Sequence, residues 1–203
     1  MTDERFTTAY HAPVMVDEVR QVLLHGAGTG LRILDGTLGG GGHSAAFLEA
    51  GADVTGLDRD PDAIRAAVER LASFAREGRF RAIATNYADF AESGCAPASV
   101  RPAGAAGPPD AFDGILLDLG VSSHQIDDPA RGFSFREGAP LDMRMTGAAG
   151  GAHGGTAGVG QGATAADFLN TADFGELATV FREYADERRA PRLASEVIRR
   201  REN

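Results

Sequence analysis

The sequence has a single cysteine, Cys95, and contains no tryptophan. One cysteine excludes an intramolecular disulfide and a zinc site built from several cysteines, so a reducing compartment and no metal site are expected. The residues around Cys95, SGCAPAS, are typical of a surface loop. We therefore expect an inert thiol.

Long apolar runs and basic charge are also scarce. No apolar run approaches the roughly 18 residues of a membrane span, and the first residues lack the pattern of a signal peptide, which predicts a cytoplasmic protein without a membrane partner. The 20 basic residues, all arginine, face 29 acidic ones, for a net charge of −9. This balance argues against non-specific binding to polyanions, but an enzyme that meets nucleic acid through one local basic patch is compatible with it.

Short apolar runs alternate with helical patterns along the first part of the chain. Strands are predicted at residues 31–36, 52–58, 80–86 and 112–120, and helices at 14–26, 43–51 and 61–78. This alternation predicts an α/β fold with a parallel sheet covered on both faces. Helical patterns at 164–172, 174–185 and 191–203 predict a small all-α subdomain. Two segments rich in Gly and Ala, 95–111 and 145–163, are predicted to be mobile loops.

The stretch LDGTLGGGGHS, Leu34 to Ser44, follows the first predicted strand directly. Glycine in such numbers suits a place where φ is positive or where a ligand approaches the main chain. In an open α/β sheet, that turn lies at the switch point where ligands bind. Asp58 ends the second strand, the usual place for a carboxylate that binds ribose hydroxyls. The alternative is that the glycines serve only a tight turn.

Two cofactor classes fit this layout. A dinucleotide site would show G-x-G-x-x-G, and the best register here, Gly39, Gly41 and Ser44, fails at the third glycine. S-adenosylmethionine is cationic at its amine and sulfonium, so an acidic residue ahead of the glycines, such as Asp35, favours it over a pyrophosphate. The residues thus favour a methyltransferase over an oxidoreductase.

The segment FDGILLDLGVSSHQIDDPARGFSFREGAPLDMRM, taken with HAPVMVDEV and the glycine stretch, resembles the bacterial family of small-subunit ribosomal RNA cytosine-N4 methyltransferases, the MraW type. The resemblance implies a Rossmann-like class I methyltransferase sheet, S-adenosylmethionine as cofactor, and methylation of the exocyclic N4 of a cytidine in small-subunit (16S) ribosomal RNA. It also implies the RNA or the assembled small subunit as partner. Where Tyr87 stands, family members commonly have Phe, and they have Pro where this chain has His124.

The resemblance also implies site residues. Cofactor contacts would fall on Gly41, Gly42, His43, Asp58, Tyr87, Asp118 and Gln125. A transferred methyl needs an in-line amine whose N–H protons are bound by acceptors, and we assign that role to Asp118, with Asp142 as a second candidate. We expect Phe133 and Phe135 to pack in the core, with stacking on the target base as the alternative.

The last helices carry the densest basic cluster of the chain. We predict phosphate contacts from six of its arginines: Arg188, Arg189, Arg192, Arg199, Arg200 and Arg201. The alternative is an ordinary solvated helix face.

The predicted organisation is a cofactor-binding core at 1–120, an active-site loop and linker at 121–163, and a helical substrate-recognition subdomain at 164–203. Family members continue with further strands, so a fragment is expected whose fourth strand is a bare edge, which invites association, such as a homodimer. Two other functions stay open, a methyltransferase on another amine and a non-catalytic cofactor-binding or ribosome-assembly module.

Overall fold

A computed structural model describes residues 6, 13–26, 29–92, 111–147 and 162–201. The chain forms two compact units, residues 1–128 and 129–203. Cys95 and most of the two Gly/Ala-rich segments lie outside the described residues. The three-part domain division stays a prediction.

The first unit is built on a parallel sheet. Its strands are β1 (Arg32–Asp35), β2 (Asp53–Asp58), β3 (Phe80–Ala84) and β4 (Gly114–Leu116). They lie in the order β3-β2-β1-β4, with every neighbouring pair parallel. This confirms the predicted α/β sheet. The order changes direction at β1, so the crevice between the carboxyl ends of β1 and β4 is the switch point.

The fourth strand is shorter than the predicted 112–120. Its register pairs Leu116 with Asp35, the last residue of β1. Because β1 gives way to the glycine turn there, the residues after Leu116 have no strand to continue along. They leave the ladder as an irregular, exposed segment.

Helices cover the sheet and differ in two places from the prediction. The helices of the first unit are α1 (Val16–Leu24), α2 (Gly42–Glu49), α3 (Pro61–Arg70), α4 (Ala72–Arg76) and α5 (Ser123–Asp127). The single helix predicted over 61–78 breaks at Leu71, where ψ is 17°. The Leu71 side chain stays buried, so the break keeps an apolar anchor in the core. The short α5 was not predicted.

The core of the first unit lies between the sheet and α1, α2 and α3. Its largest fully buried side chains include Phe47, Leu48, Ile33 and Leu71. Each contributes about 2 kcal/mol of hydrophobic stabilisation relative to an exposed position. This core holds the start of α2 and the end of β1 in fixed positions, which is where the glycine stretch runs.

The second unit contains α6 (Ala165–Thr171), α7 (Phe174–Glu183) and α8 (Ala190–Arg201), as predicted. Side chains of Thr164 and Asp173 cap the first two helices in capping boxes. Leu177, Ala178 and Ala194 form its small core. No helix in the described ranges is long and apolar enough to cross a membrane.

Candidate active site at the switch point

The glycine turn runs from the end of β1 into α2, with close packing at both ends. A Cβ added to Gly36 would lie 2.5 Å from Leu117 Cδ2, so glycine lets the turn and the segment after β4 touch. Gly41 has φ +75°, and an added Cβ would meet Leu71 Cδ1 at 3.0 Å. These positions are glycine because of packing and backbone conformation. Gly41 is buried and its N–H donates to the Leu38 carbonyl oxygen at 2.9 Å, and a Cβ added to Gly42 would lie 2.8 Å from Pro13 Cγ.

Asp35 is buried inside the turn, with a relative exposure of 1%. The Ser44 hydroxyl donates to Oδ2 at 2.7 Å, and the Thr37 N–H donates to Oδ1 at 3.2 Å. Burial raises the pKa of Asp35, although the bond from Ser44 lowers it. Its contacts therefore hold the turn against α2, where the sequence suggested a carboxylate facing a cationic cofactor.

Asp58, at the end of β2, joins that strand to the same turn. The Gly39 N–H donates to Oδ2 at 2.9 Å, and the Asp60 N–H donates to Oδ1 at 2.9 Å. Burial raises the pKa of Asp58, and these two backbone bonds lower it. Each carboxylate oxygen has a second lone pair, so a ribose hydroxyl can still be accepted. The ribose role stays a prediction.

Tyr87 also lies beside Gly36. It opens a 3₁₀ helix, Tyr87–Glu92, after β3, and its Cβ would lie 3.4 Å from a Cβ added to Gly36. The side chain is 46% exposed, so an aromatic face is open beside the turn. This position suits the predicted contact with an adenine ring.

Gln125 is almost fully buried in α5. Its Oε1 accepts the Ser122 N–H at 2.9 Å, which completes a capping box with the Ser122 hydroxyl. Its Nε2 donates to Asp60 Oδ2 at 3.5 Å. These contacts tie α5 to the residues that follow β2. The predicted cofactor contact of Gln125 would therefore depend on a side chain already engaged within the protein.

His43 and Asp118 face each other across the switch point. His43 Nε2 lies 2.9 Å from the Val14 carbonyl oxygen, so that nitrogen carries a proton and donates it. Its Nδ1 lies 3.9 Å from Asp118 Oδ2. The Asp118 side chain is 42% exposed, whereas the His43 side chain is buried. The geometry thus leaves Asp118 as an accessible carboxylate beside the glycine turn.

Asp142 belongs to the second unit and is paired. Arg144 donates from Nε to Oδ1 at 2.8 Å and from Nη2 to Oδ2 at 2.6 Å. This bidentate contact lowers the pKa of Asp142. A carboxylate held in this way is a poor proton acceptor, so the contacts favour Asp118 for that role.

The six arginines of the predicted RNA patch have unequal surroundings. Arg201 donates from Nη1 to the Ala172 carbonyl oxygen at 2.8 Å and from Nε to the Leu169 carbonyl oxygen. It therefore holds α8 against α6. Arg199 and Arg200 both contact Glu196. Arg189 Nε lies 3.9 Å from Glu187 Oε1, and Arg188 and Arg192 are exposed.

Two residues of the RGFSF stretch take different positions. Phe133 is partly buried, and Phe135 is fully exposed, at 106%. The expectation of core packing is therefore wrong for Phe135. Its alternation with Phe133 indicated a buried strand, but the stretch has no strand in the structure.

The parallel sheet, the glycine turn after β1 and the acidic residue at the end of β2 give the first unit a Rossmann-like fold. The model of the MraW methylase family matches residues 8–203, and the chain belongs to that family.

Relatives in several bacteria carry the name ribosomal RNA small subunit methyltransferase H. The protein of Gemmatimonas aurantiaca is 50% identical over 196 residues, which cover 97% of this chain and 54% of the relative. That of Corynebacterium jeikeium is 44% identical over 206 residues, covering 95% of this chain and 54% of the relative. The chain thus spans about half the length of the curated relatives it matches. A solved putative methyltransferase from Escherichia coli is similar over 43% of this chain and 47% of its own, with 20% identity and a TM-score of 0.35.

Proposed function

We propose that the chain uses S-adenosylmethionine to methylate the exocyclic N4 of a cytidine in small-subunit ribosomal RNA. The family membership and the names of the relatives support methylation of ribosomal RNA. The observation that carries the assignment of the reacting group is the accessible Asp118 carboxylate beside the glycine turn.

The residues at the switch point fit this cofactor. The main chain of Gly41 and Gly42, at the start of α2, would contact its amino-acid part. Asp58 would accept the ribose hydroxyls, and Tyr87 would lie against the adenine ring. The cofactor supplies a methyl group on a sulfonium, which an amine nitrogen can attack. Asp118, a carboxylate near that position, also suits the positive charge of the bound sulfonium.

Asp118 serves the acceptor amine in this proposal. The exocyclic nitrogen of cytosine is a weak nucleophile because its lone pair is delocalised into the ring. An oxygen of Asp118 that accepts one N–H favours a pyramidal nitrogen, whose lone pair can then attack the methyl carbon as its bond to sulfur breaks. The same oxygen receives the proton that the methylated nitrogen must lose. Asp142, engaged by Arg144, has a structural role here.

The RNA contacts in the proposal come from the exposed arginines of the second unit. Arg188 and Arg192, whose side chains are exposed, are the members of the cluster best placed to bind phosphate, and Arg189 can add to them if its contact with Glu187 breaks. Arg199 and Arg200 can also bind phosphate if their contacts with Glu196 break. The target base must leave its stack at a cost of a few kcal/mol, which such contacts help to offset. A partner that is either the ribosomal RNA or the assembled small subunit, and a homodimer, are also part of the proposal.

Methyl transfer to small ribosomal subunits tests the proposed function. Subunits that lack the modification are incubated with the chain and isotopically labelled S-adenosylmethionine, and the RNA is digested to nucleosides. The proposal expects label in N4-methylcytidine and a fall of about 100-fold or more in that label after Asp118→Asn. Label in another nucleoside would support a methyltransferase on another amine. Tight binding of subunits without label would support a ribosome-assembly module.

A further inference from the structure

At the end of the ladder between β1 and β4, a side-chain oxygen replaces a main-chain carbonyl as the hydrogen-bond acceptor. The last main-chain bond runs from the Gly36 N–H to the Leu116 carbonyl oxygen at 2.9 Å. In a continued parallel ladder, the Asp118 N–H would donate next to the Gly36 carbonyl. Here it donates to the Thr37 side-chain oxygen Oγ1 instead, at 2.7 Å. A side chain of the glycine turn thus takes over where the strand stops.

Thr37 is itself anchored on its buried side. Its N–H donates to Asp35 Oδ1, and the other oxygen of that carboxylate accepts the Ser44 hydroxyl. The hydroxyl of Thr37 is therefore carried by a main chain that a buried carboxylate holds against α2. The Thr37 hydroxyl is therefore able to hold the Asp118 N–H in a fixed position.

The segment that Thr37 contacts has few other constraints. Residues 117–121 are exposed and have no regular secondary structure. Within the part of the chain that the structure describes, the bond to Thr37 is the one hydrogen bond recorded for the main chain of this segment. The 3.9 Å separation between the Asp118 carboxylate and His43 Nδ1 depends on the same short stretch.

We propose that Thr37 is a positioning residue that fixes Asp118 through its main-chain N–H and so sets where the Asp118 carboxylate lies beside the glycine turn. The structural part of this inference concerns the bond alone. Its functional part rests on the proposed function, in which Asp118 contacts the reacting groups.

Hydrogen exchange of the Asp118 amide tests the structural part without any activity. Thr37→Val keeps the shape of the side chain and removes the hydroxyl, whereas Thr37→Ser keeps the acceptor. We expect Thr37→Val to speed exchange of the Asp118 amide on the order of 5-fold, the effect of losing one net hydrogen bond. Thr37→Ser should restore most of the protection. Amides of β1 and β2 serve as internal controls and should not change.

A double-mutant cycle with Asp118→Asn tests the functional part. If Thr37 acts through Asp118, Thr37→Val lowers methyl transfer with Asp118 present and has little further effect in an Asp118→Asn background. The affinity for S-adenosylhomocysteine, read by calorimetry, gives a second cycle that needs no turnover.

Each result decides a separate point. Unchanged exchange of the Asp118 amide in Thr37→Val would overturn the inference, and so would additive effects in both cycles. If neither Thr37→Val nor Thr37→Ala folded, the bond would belong to fold stability and the positioning role would be overturned. Faster exchange in a chain without any methyl transfer would retain the structural part and count against the proposed function.

Discussion

The turn after β1 and the segment after β4 meet at the switch point, but they are held in different ways. The turn is held by the buried carboxylate of Asp35 and the partly buried carboxylate of Asp58, whose oxygens accept hydrogen bonds from its backbone and from α2. The segment after β4 is exposed, and its main chain is held by the hydrogen bond from the Asp118 N–H to Thr37 Oγ1. The comparison suggests a rigid cradle for the cofactor beside an adaptable edge for the acceptor amine.

The largest effect expected from this contrast is on methyl transfer. Asp118→Asn keeps the main-chain bond to Thr37 and removes the charged acceptor, so turnover should fall by about 100-fold or more. The thermal midpoint should stay close to that of the parent chain because the side chain is largely exposed. Steady-state rates with small subunits and thermal unfolding provide the two readings. Full turnover at saturating cofactor would contradict the assignment of Asp118.

Removing a contact that holds the turn after β1 should instead lower the free energy of unfolding. Asp35→Ala leaves the Ser44 hydroxyl and the Thr37 N–H without their buried acceptor, so we expect the free energy of unfolding to fall by about 2 to 3 kcal/mol. Denaturant unfolding measures this loss, and Ser44→Ala is the matched variant for one of the two bonds. A change below about 0.5 kcal/mol would show that Asp35 does not hold the turn.

The pH dependence of stability sharpens the same point. Burial raises the pKa of Asp35 in the folded chain above its ordinary value of 3.8. The stabilising contribution of the neutral form is therefore complete below that value and is lost as the pH rises through the higher folded pKa. Compared with Asp35→Asn, the parent chain should lose stability as the pH rises above 3.8. Parallel pH profiles of the two chains would contradict the raised pKa.

A smaller effect is expected at Asp142, the carboxylate of the second unit. Arg144 lowers the pKa of Asp142, so this pair stabilises the fold above the ordinary carboxyl pKa and loses that contribution as the pH falls. Asp142→Asn should lower the free energy of unfolding by about 1 kcal/mol at neutral pH. It should leave the affinity for S-adenosylhomocysteine unchanged. Calorimetry and denaturant unfolding at pH 7 measure both, and a stable variant that lost turnover would revive Asp142 as the acceptor.

The smallest effect separates two arginines of the cluster. Arg192→Gln should reduce the slope of log affinity for RNA against log salt by about 0.7, the value for one phosphate contact on a single strand. Arg201→Gln should instead lower the thermal midpoint because it releases the carbonyl oxygen of Ala172. Filter binding over a salt series and thermal unfolding distinguish them. An unchanged slope for Arg192→Gln would remove that residue from the RNA site.

Local patterns predicted the fold well because they are read over a few neighbouring residues. Short apolar runs predicted the parallel sheet, and the helical patterns between and after them predicted most helices of the two units. Helix α3 begins at Pro61, with the Asp60 side chain as its N-cap. The end of β4 was misjudged because it depends on its partner: β1 stops at Asp35, which no feature of residues 112–120 reveals.

The site was less predictable because its key contacts join distant residues. Asp118 and Thr37 are 81 positions apart, and nothing in a single sequence pairs a threonine hydroxyl with that amide. The burial of Asp35 was also hidden, since an acidic residue ahead of glycines suggests a ligand contact as readily as an internal bond to Ser44.

We propose that the turn after β1 is a preformed site for S-adenosylmethionine. Calorimetric titration of the chain with this cofactor, alongside NAD and an Asp58→Ala variant, tests it most directly. We expect saturable binding of S-adenosylmethionine to the parent chain and no binding of NAD. The Asp58→Ala variant should remain folded and lose its binding of S-adenosylmethionine. No binding of S-adenosylmethionine by the folded parent chain, or binding of NAD instead, would contradict it.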